Sequence, residues 1–195
     1  MLGFFKSKEQ KTMDVLNSAA VDASSHFLVY ANAYQASAGL LENKESFWHN
    51  HFTMGILAGF TEIAIHESGI RAEGEALCLG IYNTVRNLEN SNLVTNNTSQ
   101  SQEIAFEIIE QFRSPSDRFL LGHKRAAKLL QLYVGRKTFD NDEDFVDIKN
   151  YIANNQNLHR NLFGKEWDNT DDKSKIYSMY ISEKLVKEAL GDTST

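Results

Sequence analysis

The chain is poor in the residues that break helices and in those that staple a fold together. It has one proline and one cysteine in 195 residues. An all-β chain of this length needs more turn chemistry than that, whereas helices joined by short connections do not. A lone cysteine excludes an intramolecular disulfide and any thiolate metal cluster built from one chain. Cys78 stands in the run Ala76-Leu77-Cys78-Leu79 and reads as a small hydrophobe on a helix. Long apolar runs are missing too. The least polar stretch, 52–65, is interrupted by Thr61 and Glu62 and is too short to cross a bilayer, so no transmembrane segment is expected. The opening MLGFFKSKEQK places its lysines after its apolar residues, the reverse of a secretory signal. Positive charge is also in deficit. The formal net charge of −6 repels phosphate backbones at long range, and no nucleic-acid partner is expected. These absences predict a cytoplasmic protein.

What is present is the composition of a folded domain. Hydrophobic residues make up 42% and charged residues 24%, which is enough apolar surface to reject disorder of the whole chain. The pattern predicts a single all-α domain over 1–195, a bundle of about seven helices with a long N-terminal helix and a buried central second helix. The charge-free, turn-rich stretch 90–100, NSNLVTNNTSQ, is a candidate subdomain boundary.

The first helix is predicted over 8–38. Ser7 and Gln10 form a capping box at its start, and Gly39 is a stop signal at its end. Met13, Ala20, Phe27, Tyr34 and Leu41 recur every seven residues, with Leu16, Ala23, Tyr30 and Ser37 interleaved. A 3.5-residue period over four heptads marks a helix packed at a shallow angle along another. The seam of Met13, Leu16, Phe27, Tyr30 and Tyr34 predicts an interaction surface, with a homodimer as its simplest use.

The second helix is predicted from just after Asn43 to Ser68, with Gly69 capping it. At roughly 100° per residue, Phe52, Ile56, Phe60, Ile63 and Ala64 share one side. The other carries His51, Gly55, Ala58, Gly59, Glu62 and His66. A helix apolar on one side and small-residued on the other is buried between neighbours. Gly55, Ala58 and Gly59 admit a close backbone, for which the alanines Ala19, Ala20, Ala23 and Ala31 of the first helix are suited. The same surfaces could instead border a ligand cavity with Trp48, Tyr30 and Tyr34. Downstream, helices are predicted over about 71–89, 99–113, 114–134, 140–152 and 171–190. The boxes Ser99/Gln102 and Asp140/Glu143 and the pair Ser114-Pro115 serve as starts, and 154–170 is read as a loop.

Chemistry concentrates on the second helix. Glu62 and His66 stand one turn apart and could share a divalent metal, as could Glu45 and His49. A carboxylate-bridged di-metal bundle requires a glutamate three residues before a histidine on each of two helices, and no histidine here has one. His51 lies about 22 Å along the axis from His66, so a third ligand must come from another helix: Glu73, Glu75, His26 or His123. His66-Glu67 lacks the second histidine of a zincin, since position 70 is Ile70. Glu67-Ser68-Gly69 resembles the opening of a lytic-transglycosylase motif, but the continuation of that motif is missing. There is no G-x-S-x-G elbow and no phosphate-binding glycine loop. Gln102-Glu103-Ile104-Ala105 lacks the turn glycine of a helix-turn-helix, and the basic residues His123, Lys124, Arg125 and Lys128 read as a solvated face.

The sequence therefore predicts a non-catalytic helical protein that acts on a protein partner or on a second copy of itself. The alternative is a ligand- or metal-binding helical protein, or an enzyme, using Glu62 and His66 with a small molecule or a divalent metal. A third reading, a peripheral membrane contact through Leu2, Phe4 and Phe5 with Lys6, Lys8 and Lys11, has a marginal anchor.

Overall fold

Capping chemistry decides where the helices begin. In the computed structural model, which describes residues 7–38, 44–91, 98–136 and 142–191, Ser7 Oγ accepts from the Gln10 amide at 3.1 Å. That bond opens α1 (Lys8–Ala38). The expected second helix is two. Asn50 takes an extended backbone, and its side chain accepts from the amides of Phe52 and Thr53. This ends the short α2 (Lys44–Trp48) and starts α3 (His51–Glu67). A residue with an amide side chain offers the backbone a local alternative to the helix, and here the alternative wins.

The chain continues through α4 (Gly74–Asn87), α5 (Thr98–Arg113), α6 (Asp117–Tyr133), α7 (Glu143–Asn154), α8 (Gln156–Phe163), α9 (Glu166–Asn169) and α10 (Asp172–Tyr180). A π-helical turn (Ile181–Val186) joins α10 to α11 (Lys187–Leu190). Of the described residues 86% are helical, none is in a strand, and seven of the helices are of substantial length. None of these helices is long and apolar enough to cross a membrane. Two predicted starts move, and one predicted loop is helical. Ser116, not Ser114, caps α6, its Oγ accepting from the Phe119 amide at 3.2 Å. Ser99 lies inside α5, which begins at Thr98. The predicted loop 154–170 instead folds as α8 and α9. Asp140, Gly39 and Leu41 lie outside the described residues, as do Leu2, Phe4 and Phe5.

The chain divides into two compact units, residues 1–28 with 43–127, and 29–42 with 128–195. The stretch 90–100 falls within the first. In the first unit, α3 is the central element, with every residue from Phe52 to Thr61 buried. Gly55, Gly59 and Gly122 set its approach to α6. A Cβ on Gly55 would meet the Phe119 carbonyl oxygen, one on Gly59 the His123 carbonyl oxygen, and one on Gly122 the Phe52 carbonyl oxygen, each closer than 3.0 Å. The groove expected to take the alanines of α1 is thus filled by α6. Those alanines, Ala19, Ala20, Ala23 and Ala31, are buried all the same. On another side of α3, the Thr61 hydroxyl donates to Leu57 O and lies 3.2 Å from Thr84 Oγ1 of α4, whose own hydroxyl donates to Gly80 O, so both buried hydroxyls are satisfied.

The helix-one seam is consumed inside the chain. Leu16, Phe27, Tyr30 and Tyr34 are buried, while Met13 is exposed. Within the first unit Phe27 stacks on Trp48, centroids 5.6 Å apart, and packs on Phe47 at 5.9 Å. In the second unit Tyr30 meets Tyr34 edge-on at 6.1 Å. A heptad seam says that a helix lies along a partner, but not whether that partner is another chain.

In the second unit α7 packs on α10, with Phe145 stacked on Tyr180 at 4.6 Å. Lys128 is held by Asp142 and Asp144, its Nζ 2.9 Å from Asp144 Oδ2, and ties the N-terminus of α7 to the rest of the unit. His159, buried with neither ring nitrogen hydrogen-bonded, packs among Tyr151, Phe163 and Trp167. Burial holds its pKa below the ordinary histidine value.

The close approach of α3 and α6 makes a contrast testable. Gly122→Ala should destabilise the chain by about 1–3 kcal/mol or more, because the added methyl meets backbone. Gly80→Ala should cost much less. The nearest atom there is the Ile65 Cδ1 methyl, which can rotate away, and alanine gains about 1 kcal/mol of helix propensity. Thermal melts followed by circular dichroism compare the two. Equal melting temperatures would contradict the packing described.

Candidate functional site

Three titratable side chains gather at the C-terminal half of α3. Glu62 follows the small-residue face by one turn, so the tight contact at Gly55 and Gly59 carries α6 past it. His123, next to Gly122, lies opposite. Its Nε2 donates to Glu62 Oε2 at 2.5 Å, with side-chain exposures of 23% for the histidine and 35% for the glutamate. The imidazole is oriented by two aromatic rings, lying near-parallel to Phe119 at 6.2 Å and edge-on to Phe112 at 5.8 Å. Sequence spacing put His123 among four candidate partners for this helix. The structure selects it because α6, rather than α1, occupies the glycine groove.

On the small-residue side of a helix read as buried, Glu62 and His66 are expected to lie buried near one another, and His66 departs from that. It is exposed, one turn beyond Glu62, and reaches the carboxylate through its charge. The pair is therefore not buried together in the middle of the fold. Glu62 is held below its ordinary value of 4.5, first by the hydrogen bond from His123. Partial burial works against that shift, and the charges of His123 and His66 add to it.

The remaining candidates disperse. His49 Nδ1 pairs with Glu107 Oε2 of α5 at 3.2 Å instead of joining Glu45. His51 Nδ1 bonds Ser116 Oγ at 2.8 Å, linking the first turn of α3 to the cap of α6. His26 packs on the ring of Phe60 at 5.7 Å, and burial lowers its pKa. Glu73 pairs with Arg71. Among the described residues, no three histidine, cysteine, aspartate or glutamate side chains are placed to hold one metal ion. Trp48, Tyr30 and Tyr34 are buried as packing in their own units.

Chemically, a histidine–carboxylate pair orients an imidazole and stabilises its protonated form. Here the Nε2 is spent on the carboxylate and the ring faces are covered by phenylalanines. The arrangement works as a polar clasp at the edge of the α3–α6 contact. The chain matches no known protein-family model, no curated protein and no solved structure.

The sign of the linkage follows from the depressed Glu62 pKa. Its contribution is present above the unfolded value near 4.5 and is lost as pH falls through the lower folded value. Glu62→Gln should cost under about 1 kcal/mol at pH 7, since the pair is partly solvated. The difference between the variant and the parent should shrink below about pH 4.5. Urea unfolding at a series of pH values measures it. A difference that grows as pH falls would show that the carboxylate is not held in its ionised form.

Proposed function

We propose that the chain is a non-catalytic cytoplasmic helical protein that acts through protein–protein contact, as a homodimer. The observation that carries the reading is Phe106, a phenylalanine 62% exposed on α5. The next helix of the same pair, joined by Ser114-Pro115-Ser116, exposes Leu120 at 48% and Leu121 at 37%. Single exposed leucines are ordinary, but an exposed aromatic is what protein interfaces enrich. The charges suit a two-fold contact. Exposed Glu103 lies on α5 and exposed Lys124 on α6. In a two-fold pair, α5 of one copy laid on α6 of the other would set these opposite charges together twice.

This moves the contact from the α1 seam, whose apolar residues are used internally, to the α5–α6 pair. The compartment rests on Cys78, a half-buried free thiol, which suits a reducing environment. The metal alternative is weakened by the engagement of Glu62 with His123.

Sedimentation velocity tests the reading. The parent chain should sediment as a dimer at micromolar concentration. Phe106→Glu with Leu121→Glu should give a monomer with an unchanged far-UV circular dichroism spectrum, since both side chains project into solvent. A parent chain that stays monomeric to about 100 μM, well beyond a micromolar Kd, would sink the proposal. A dimer untouched by the substitutions would remove the assigned surface.

A further inference from the structure

The second unit contains a solvent-accessible cleft of about 280 Å³, independent of the α5–α6 surface. It is built by two packed helices that present matching triplets. Lys149, Ile152 and Ala153 come from one face of α7, and Asp172, Lys175 and Ile176 from one face of α10, at the i, i+3, i+4 spacing that shares a helix side. Trp167 of α9 closes one end. Its indole packs on Phe163, stacked at 4.9 Å, and on the ring of His159 at 5.1 Å.

Two charges on the rim, Lys149 and Asp172, are exposed to solvent and lack a protein partner among the described residues. Asp168 also borders the cleft, but it is taken by Arg160, whose Nε lies 2.9 Å from Oδ2. Lys149 and Asp172 make no side-chain hydrogen bond or ion pair among the described residues, although both line the same cleft. Lys175 places its ammonium over the Trp167 ring, 5.8 Å from its centroid, without a carboxylate partner. An exposed cation on α7 and an exposed anion on α10, bordering one cleft with Trp167, Ile152 and Ile176, match a ligand that bears both charges and an apolar body.

We infer that this cleft binds a free α-amino acid with an apolar or aromatic side chain. The carboxylate goes to Lys149 and Lys175, the ammonium to Asp172, and the side chain to Trp167, Ile152 and Ile176. The volume sits just below the roughly 300–1,000 Å³ of ordinary ligand pockets, which suits a ligand of this size.

The full chain labelled with 5-fluorotryptophan reports on the site, because it has two tryptophans, Trp48 and Trp167. Loss of one fluorine resonance in Trp167→Phe assigns them. Titration with L-phenylalanine and L-leucine should shift the Trp167 signal saturably and leave that of Trp48 in place. N-acetyl-L-phenylalanine, without the cation, and L-phenylalaninamide, without the carboxylate, should each bind at least about tenfold more weakly. Lys149→Met and Asp172→Asn should each weaken L-phenylalanine by about tenfold while the far-UV circular dichroism spectrum is retained. No shift of the Trp167 signal up to about 10 mM, well beyond a millimolar Kd, overturns the inference. Equal binding of the blocked derivatives overturns it as well, since the rim charges would then play no part. Neither result bears on the oligomeric state, so this site and the dimer contact stand or fall separately.

Discussion

The close approach of α3 to α6 is the contact on which the first unit depends. Three glycines, Gly55, Gly59 and Gly122, let two helical backbones come within a distance that a single methyl would prevent. Glycine in a helix costs about 1 kcal/mol relative to alanine, so three in one crossing must be offset by what the crossing gains. The gain is dense dispersion contact along α3, whose residues from Phe52 to Thr61 are all buried. The same crossing brings His123 onto Glu62 and the cap of α6 onto His51. A polar clasp thus stands near each end of an apolar contact, which defines its register as well as its angle.

Two surfaces are proposed to carry function. The α5–α6 pair exposes an aromatic and two leucines, with charges of opposite sign on its two helices. The α7–α10 cleft has unpaired charges of both signs above an indole. They belong to different units and answer to different physics. The first is an area of apolar surface in water, and the second is a set of exposed charges beside a buried indole.

Much of the local structure was legible. The Ser7–Gln10 box, the length of α1, the glycine stop after α3 and the all-helical class follow from caps, propensity and periodicity. The small-residue face of α3 was legible as a groove for another backbone. Its occupant was not, because the alanines Ala19, Ala20, Ala23 and Ala31 of α1 suit it as well as Gly122, Ala126 and Ala127 of α6 do. The break at Asn50 was hidden for a local reason: an asparagine inside an apolar-periodic run reads as a tolerated polar residue unless its side chain is known to cap. The segment 154–170 carries no cap or long apolar period that marks a helix locally, and α8 forms because His159 and Trp167 bury against each other.

The sequence by itself determined which faces of the helices are apolar, where most of them start and which chemistries are excluded, because these depend on residues within one or two turns. Only the tertiary structure decided which faces meet. It spent the α1 seam within the chain, chose α6 for the glycine groove, gave Glu62 to His123 with His66 left outside, and gathered Lys149, Trp167 and Asp172 around one cleft. Helical period specifies a direction from the axis but not the neighbour in that direction. The neighbour is settled by shape complementarity between segments far apart in the chain, and no window of sequence contains it.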